Sequence, residues 1–162
     1  MPASIASLDT IEDFLAQKRI AVVGLSRSPA SFSASVFREF AQRGYDVVPV
    51  NPHADEILGR KCLARVQDIH PPVTAALLMT APEVTDAVVR DCAQAGVRLV
   101  WMHRAGGAGA VSDNAVAFCE QNGIRVVPGQ CPLMFLPGAA SFHRFHGFIR
   151  KITGRYPKHA HA

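Results

Sequence analysis

The sequence predicts an α/β protein in which five parallel strands form one doubly wound sheet with helices on both faces. Five short apolar segments alternate along the chain with amphipathic segments of helical periodicity, which is typical of βαβ units. Parallel strands of this kind are joined by right-handed crossovers. Counting strands along the chain, we expect the order 3-2-1-4-5 in the sheet.

The individual elements follow from apolar runs, hydrophobic periodicity and turn residues. Strands are expected at 19–25, 46–51, 74–79, 97–102 and 124–127. A capping box at Asp9 opens a first short helix, and further helices are expected at 33–43, 82–96 and 112–121, with Pro82 at a first helical position. The segment 58–63 predicts a turn with a short extended piece, and 66–69 a single helical turn.

A last helix is expected at about 141–153, with an apolar stripe formed by Phe142, Phe145, Ile149 and Ile152. Such an apolar stripe is expected to pack against another surface. Three partners remain open: the chain's own sheet, a second subunit in a homodimer or larger complex, or a membrane surface. We therefore expect a binding domain at 1–138, followed at 139–162 by this amphipathic helix and a basic tail.

Length and charge narrow the function classes. The chain has 162 residues, 49% of them hydrophobic, which suits one domain with a proper core. Residues 1–120 carry 11 basic and 13 acidic side chains, whereas 121–162 carry six basic and none acidic. A basic end of this kind suits a polyanionic ligand or an acidic partner. No nucleic-acid reader motif accompanies it, which disfavours nucleic acid.

The cysteines and the apolar runs bear on the compartment. Four cysteines, Cys62, Cys92, Cys119 and Cys131, lie far apart without a CxxC pair, so the sequence predicts reduced thiols rather than a zinc cluster or a disulfide framework. No run approaches the roughly 18 apolar residues of a membrane span, and the first residues lack the features of a signal peptide. A cytoplasmic protein without membrane contact is expected.

The loop after the first strand predicts a phosphate site. It combines Gly24, Ser26, Arg27 and Ser28 and leads into a helix expected to begin near Ser33. The first N–H groups of a helix lack intrahelical partners, and its dipole favours an anion at that end. Gly24 permits a tight turn, while the serines and Arg27 offer donors. The alternative is that these serines only cap the helix and keep the loop hydrated.

The residues at the end of the second strand narrow the class of nucleotide that the site is expected to bind. A common dinucleotide site has G-x-G-x-x-G at the first turn and a carboxylate after strand two. This chain has neither, since strand two ends in Asn51, Pro52 and His53. The absence of an acid there suits a ribose that carries a phosphate, as in coenzyme A (CoA) or NADP, better than the free diol of NAD.

Several segments together resemble the small bacterial CoA-binding proteins, whose Rossmann-like domain is similar to the CoA-binding domain of the succinyl-CoA synthetase alpha subunit. The resemblance covers roughly residues 10–133 and is carried by 21–26 with Ser33, 44–52, 57–62, Pro82, Val100, Trp101 and Cys131. It implies CoA or acyl-CoA as ligand. Gly24, Ser26 and the helix start at Ser33 would hold the pyrophosphate, Asn51 and Pro52 would line the adenosine side, and Thr80 to Pro82 would flank the nucleotide.

Two further expectations come with the resemblance. The cleft should lie at the switch point of the sheet, between strands one and four. His53 stands where many members have lysine, so Arg27, Arg60 or Lys61 would supply the phosphate-binding charge. The phosphohistidine domain of such synthetases is not expected within these residues, so we assign no catalytic residue.

Three residue groups remain as candidates for chemistry. His103, at the end of strand four, is expected to line the ligand site. It is also a candidate general base, but the sequence shows no nucleophile or orienting acid beside it. Cys131, beside the cleft, is a candidate for a mixed disulfide with the CoA thiol. His143 and His146 are three residues apart, which does not complete a metal site.

The sequence therefore predicts non-catalytic binding of CoA or acyl-CoA, in a carrier, a sensor or a subunit. Two alternatives from other classes stay open. One is an enzyme, an NADP-linked oxidoreductase or a CoA-dependent transferase built around His103. The other is a structural interaction module that uses the stripe on the last helix.

Overall fold

Four α-helices and seven strands make up the part of the chain that the structure, a computed structural model, describes: residues 6–104, 109–138 and 157. The helices are α1 Leu8–Leu15, α2 Phe32–Gln42, α3 Pro82–Gln94 and α4 Asp113–Gln121. The strands are β1 Arg19–Val23, β2 Asp46–Val50, β3 Glu56–Ile57, β4 Arg60–Lys61, β5 Ala75–Leu78, β6 Leu99–His103 and β7 Arg125–Gln130. Two 3-10 turns lie at Val66–Asp68 and Pro132–Met134. The predicted helix at 141–153 and the segment 139–162 lie outside the described residues, apart from residue 157.

The five long strands form one parallel sheet in the order β2-β1-β5-β6-β7. The predicted doubly wound α/β class is confirmed, but the predicted order 3-2-1-4-5 is wrong. The third long strand, β5, pairs with β1 in the centre of the sheet, with Ala21 opposite Ala76, rather than beyond β2. The switch point therefore lies between β1 and β5, not between strands one and four.

The physical reason for this order is in β2 and β5 themselves. All four residues of β5 are fully buried, as in a central strand covered on both faces. Strand β2 contains Pro49, which has no N–H for a second neighbour and is typical of an edge strand. The connection from β2 to β5 crosses β1 and buries Val66, Ile69 and Val73 against the sheet.

Each face of the sheet is covered by its own helices. Residues Ile20, Val22, Leu77 and Trp101 point to the face covered by α1 and α2. Their neighbours Ala21, Val23, Leu78 and Met102 point to the face covered by α3 and α4. Because α2 follows β1 and α3 follows β5, the two helices start next to each other and then cover opposite faces.

The remaining predicted elements are close to their expected places. Helix α2 begins one residue earlier than predicted, because Ser31 rather than Ser33 caps it: Ser31 Oγ accepts a hydrogen bond from Ala34 N at 3.1 Å. Where the sequence predicts a turn with a short extended piece at 58–63, the structure has an antiparallel hairpin of β3 and β4, and β3 lies before the predicted segment. None of the helices in the described ranges is long and apolar enough to cross a membrane.

Candidate functional site

The loops that follow β1 and β5 touch at the carboxyl edge of the sheet. Gly24 has a φ of +86°, and a Cβ built on it would lie 2.9 Å from the carbonyl carbon and oxygen of Met79 and 2.9 Å from Cγ2 of Thr80. Only glycine fits this backbone contact. The contact marks the switch point, where a crevice opens between the starts of α2 and α3.

A cavity of about 490 Å³ lies on the α3 side of this contact; we call it the α3 cavity. Its size is within the range of small-molecule sites. Residues from the ends of β1, β2 and β5 and from the first turns of α3 line it: Val23, Gly24, Val50, Asn51, Pro52, His53, Ala64, Arg65, Val66, Met79, Thr80, Ala81, Val84, Ala87, Val88 and Asp91. Gly24, Asn51, Pro52, His53 and Thr80 are thus brought together here.

A second cavity of about 350 Å³, the α2 hollow, lies on the other side of the contact. Its lining is Gly24, Ser26, Phe32, Ser33, Met79, Thr80, Ala81, His103, Gly109 and Ala110. The hollow and the α3 cavity share Gly24, Met79, Thr80 and Ala81. A ligand that passes over Gly24 would therefore reach both faces of the sheet.

The serine loop is shaped by its own hydroxyl groups. Ser33 Oγ accepts a hydrogen bond from Ser26 N at 3.0 Å, and Ser26 Oγ accepts one from Ser28 N at 3.1 Å. Ser26 and Ser33 face the α2 hollow, whereas Arg27 and Ser28 are exposed and line neither cavity. Pro82, the first residue of α3, also lines neither cavity.

Asn51 ties two loops of the crevice together. Its Nδ2 donates to the carbonyl oxygen of Leu25 at 3.0 Å, and its Oδ1 accepts from His53 N at 2.8 Å. Both ends of the side-chain amide are therefore used inside the protein. Asn51 holds the loop after β1 against the loop after β2 and so fixes one wall of the α3 cavity.

Replacing Asn51 by alanine is expected to lower the free energy of unfolding by about 2 kcal/mol, because two hydrogen bonds are lost in a half-buried place. Urea denaturation measures this. Asn122→Ala is the matched control, since Asn122 is exposed and its Nδ2 donates to Phe118 O at 2.8 Å; there we expect less than about 0.5 kcal/mol. Equal losses in the two variants would show that Asn51 does not brace the crevice.

The basic side chains at the α3 cavity differ from those expected. Arg60 lies 3.6 Å from Asp46 and over the ring of Phe37, and Lys61 is exposed on β4; neither lines the α3 cavity or the α2 hollow. His53 and Arg65 do line the α3 cavity. Sequence reasoning missed Arg65, because its place depends on the bridge between Val50 and Leu63, which brings 64–66 to the end of β2.

His103 ends β6 and is only 8% exposed. Burial lowers its pKa to about 4, so the imidazole is uncharged at neutral pH. Its Nε2 is buried without a hydrogen-bond partner among the described residues, and its ring lies 5.2 Å from the ring of Phe32. A register shift after Met102 pairs His103 with Gln130 of β7, whose side chain is buried.

Two large apolar side chains are exposed in the described ranges, Phe32 at 42% and Val84 at 50%. Phe32 borders the α2 hollow and Val84 the α3 cavity, each in the first turn of its helix. Both exposed apolar side chains thus border the crevice.

The other candidates for chemistry lie elsewhere. Cys131 is buried, 3% exposed, and lines neither cavity. No group of three or more histidine, cysteine or acidic side chains that would hold a metal occurs in the part of the chain that the structure describes. His143 and His146 lie outside that part.

A family model described as "CoA binding domain" matches residues 18–137, the range that contains both cavities. The chain belongs to the CoA-binding domain family. The uncharacterized protein YneT of Bacillus subtilis is 30% identical over 114 residues, which are 70% of this chain and 82% of YneT. The ADP-forming acetate–CoA ligase II of Archaeoglobus fulgidus is 30% identical over 94 residues, 57% of this chain but 14% of the ligase.

Solved structures agree with this family membership. A hypothetical protein from Pyrococcus horikoshii is similar with a TM-score of 0.71 and 30% identity, over 76% of this chain and 85% of that one. The dinucleotide-forming acetyl-coenzyme A synthetase 1 of Ca. Korarchaeum cryptofilum is similar with a TM-score of 0.62 and 30% identity, over 72% of this chain and 26% of the synthetase. This CoA-binding fold therefore occurs both as most of a small protein and as a minor part of large ligases.

Proposed function

We propose that this chain binds CoA in the crevice between the starts of α2 and α3. The adenosine part occupies the α3 cavity, and the pyrophosphate crosses Gly24 to Ser26, Ser33 and the first turn of α2. The observation that carries the proposal is the meeting of two cavities over Gly24 at the switch point of the sheet. Membership of the CoA-binding domain family supports the same ligand.

The electrostatics of the crevice suit the phosphates of CoA. The positive end of the α2 dipole faces the hollow, and the hydroxyl groups of Ser26 and Ser33 stand beside it. Arg65 is close to Asp68, 3.5 Å between Nη2 and Oδ1, but this exposed pair contributes little and leaves the guanidinium available. We assign the ribose 3′-phosphate to Arg65 together with His53.

Asp91, an acidic residue in the lining of the α3 cavity, is not placed as a ribose-binding carboxylate would be. Asp91 lies on α3, and its Oδ1 accepts a hydrogen bond from Gln67 Nε2 at 2.8 Å. Its carboxylate is thus held by a neutral donor on the cavity wall. A carboxylate placed to bind a free ribose diol would instead follow β2, where this chain has Asn51 and Pro52.

We propose a binding role without catalysis, as in a carrier, a sensor or a subunit. An efficient general base has a pKa near the working pH, and burial places that of His103 well below it. This disfavours the transferase built around His103. The NADP-linked oxidoreductase remains the second candidate, because Arg65 would also fit the 2′-phosphate of NADP.

Calorimetric titration with CoA, NADP and NAD tests the proposal. We expect micromolar binding of CoA and none of NAD. Binding of NADP at micromolar strength without binding of CoA would overturn the proposal and favour the oxidoreductase. If none of the three ligands binds, the remaining alternative is a structural interaction module.

Arg65→Ala is expected to weaken the binding of CoA about tenfold, because a charge-assisted contact to the 3′-phosphate is lost. Dephospho-CoA, which lacks that phosphate, should lose less than about twofold. Arg90→Ala is the matched control. Arg90 is on α3, its guanidinium lies over the ring of Phe118 on α4, and it lines neither the α3 cavity nor the α2 hollow. If Arg65→Ala weakens the binding of CoA and of dephospho-CoA by the same factor, Arg65 does not contact the 3′-phosphate.

A further inference from the structure

A groove of about 560 Å³ lies between α3 and α4; we call it the α3–α4 groove. Asp86 and Arg90 of α3 line one side, and Ala115, Ala117 and Phe118 of α4 belong to the other. The small side chains of the two alanines leave room for a bulky group, and the ring of Phe118 offers it an apolar contact. No residue of this lining also lines the α3 cavity or the α2 hollow. The groove is therefore separate from the proposed CoA site.

Acidic side chains border the α3–α4 groove. Glu83 comes three residues before Asp86, so it lies on the same stripe of α3. On α4, Asp113 and Glu120 come four residues before and three residues after Ala117, again on one stripe. Glu83, Asp113 and Glu120 are exposed. None of the ion pairs among the described residues involves α3 or α4.

The charge of the two helices is one-sided. Within α3 and α4 five residues are acidic, and Arg90, whose guanidinium lies over the ring of Phe118, is the one basic residue. Glu120 is in the last turn of α4, where the helix dipole favours a cation and α4 has no basic residue. The borders of the groove therefore suit a partner that brings positive charge.

The segment 139–162 has the matching charge and length. It contains five basic residues and no acidic residue: Arg144, Arg150, Lys151, Arg155 and Lys158. The helix expected at 141–153 would be about 20 Å long, the same as α3 with its 13 residues. With its apolar stripe in the groove, such a helix would carry basic side chains along both acidic borders.

The segment starts on the other face of the sheet from the groove. Arg43, directly after α2, donates from Nε to the carbonyl oxygen of Pro137 at 2.8 Å, so 137–138 lie at the end of α2. Helix α2 covers one face of the sheet, whereas α3 and α4 cover the other. To reach its own groove the segment would have to pass around the sheet, but the groove of a second copy requires no such path.

We propose that two copies of this chain form a dimer in which segment 139–162 of each copy binds in the α3–α4 groove of the other. The stripe of Phe142, Phe145, Ile149 and Ile152 packs on Ala117 and Phe118, and the basic residues of the segment pair with Glu83, Asp113 and Glu120. Because the exchange is reciprocal, the assembly closes with twofold symmetry.

Sedimentation equilibrium of the full chain and of Ala117→Arg tests the groove. We expect the unsubstituted chain to form a dimer. In Ala117→Arg a long cationic side chain fills the groove and repels the basic segment, so the dissociation constant should rise more than about 100-fold. Ala16→Arg is the matched control, since Ala16 is an exposed alanine that caps α1 on the other face of the sheet, and its dimer should be unchanged.

The acidic border is tested by Glu120→Lys. We expect the dimer to be weakened about fivefold, because an attractive charge at the groove becomes a repulsive one. Glu12→Lys makes the same change at an exposed position on α1 and should weaken the dimer less than twofold. Equal effects in the two variants would contradict the contact between the segment and the groove.

Mixing two variants tests the exchange between copies. Phe145→Asp puts a charge into the stripe but leaves the groove intact, so this variant alone should be monomeric. A mixture of Phe145→Asp and Ala117→Arg should form a heterodimer, because an intact groove of one chain meets an intact segment of the other.

Three results would overturn the proposal. The first is a monomeric unsubstituted chain, which leaves the groove to a different protein. The second is a dimer that persists in Ala117→Arg, which would use another surface. The third is a Phe145→Asp chain that unfolds or loses stability in urea, because the stripe would then pack on its own chain.

Discussion

Gly24→Ala is expected to lower the free energy of unfolding by about 3–4 kcal/mol and to abolish CoA binding. The φ of +86° is strained for any residue with a Cβ, which accounts for about 1–2 kcal/mol. The added Cβ would also lie 2.9 Å from the carbonyl group of Met79. Since this neighbour is backbone, the ends of β1 and β5 must separate, and the walls shared by the two cavities move apart.

Gly44→Ala is the matched control for Gly24→Ala. Gly44 has nearly the same φ, +84°, but a Cβ there meets nothing within 4 Å. The Gly44→Ala variant should lose only the backbone-strain part of the free energy of unfolding, about 1–2 kcal/mol, and retain CoA binding. Urea denaturation and calorimetric titration of the two variants separate the effects. Equal stability losses with CoA binding intact in both would show that the close approach at Gly24 does not shape the crevice.

The sequence predicted the class of the fold because the alternation of strands and helices is local information. The order of the strands depends on which elements meet in space, and there the prediction was wrong. Two signals pointed to the observed order: Pro49 in the second strand marks an edge, and the continuous apolar run at 75–79 marks a central strand. Together they favour β5 beside β1.

The candidate site was predicted where it depends on the ends of strands. Gly24, Asn51, Thr80 and His103 each follow or end a parallel strand, and parallel strands bring their carboxyl ends to one edge. Arg65 lies in a connection without a long helix or strand, so only the pairing of Leu63 with Val50 gives its position. Among the basic residues expected to replace a lysine at His53, Arg60 contacts Asp46 and Phe37 and lines neither cavity; its role in phosphate binding stays a prediction.

Arg27, Ser28 and Lys61 remain predictions for contact with the ligand. All three are exposed and line neither cavity. Arg27 and Ser28 are nevertheless in the loop that begins at Gly24, so a ligand phosphate above Ser26 would lie within the same loop. Lys61 is on the β3–β4 hairpin, outside that loop.

Acidification is expected to remove about 3 kcal/mol of stability through His103 alone. Burial lowers the pKa of His103 from 6.5 to about 4 in the folded chain. At pH values between about 4 and 6.5, His103 binds a proton in the unfolded chain but not in the folded chain. Unfolding is therefore favoured as the pH falls, so the contribution of His103 is fully present above about pH 6.5 and is lost progressively towards pH 4.

Urea denaturation at pH 7.0 and at pH 4.5 measures this contribution. His103→Gln cannot bind the proton, so its loss of stability between the two pH values should be smaller than that of the unsubstituted chain by about 2–3 kcal/mol. His53→Gln is the control, since His53 is exposed at the mouth of the α3 cavity, and it should keep the full loss. If His103→Gln loses as much stability on acidification as His53→Gln, then His103 takes up its proton readily in the folded chain. Its imidazole would in that case be open to water in the folded chain rather than buried.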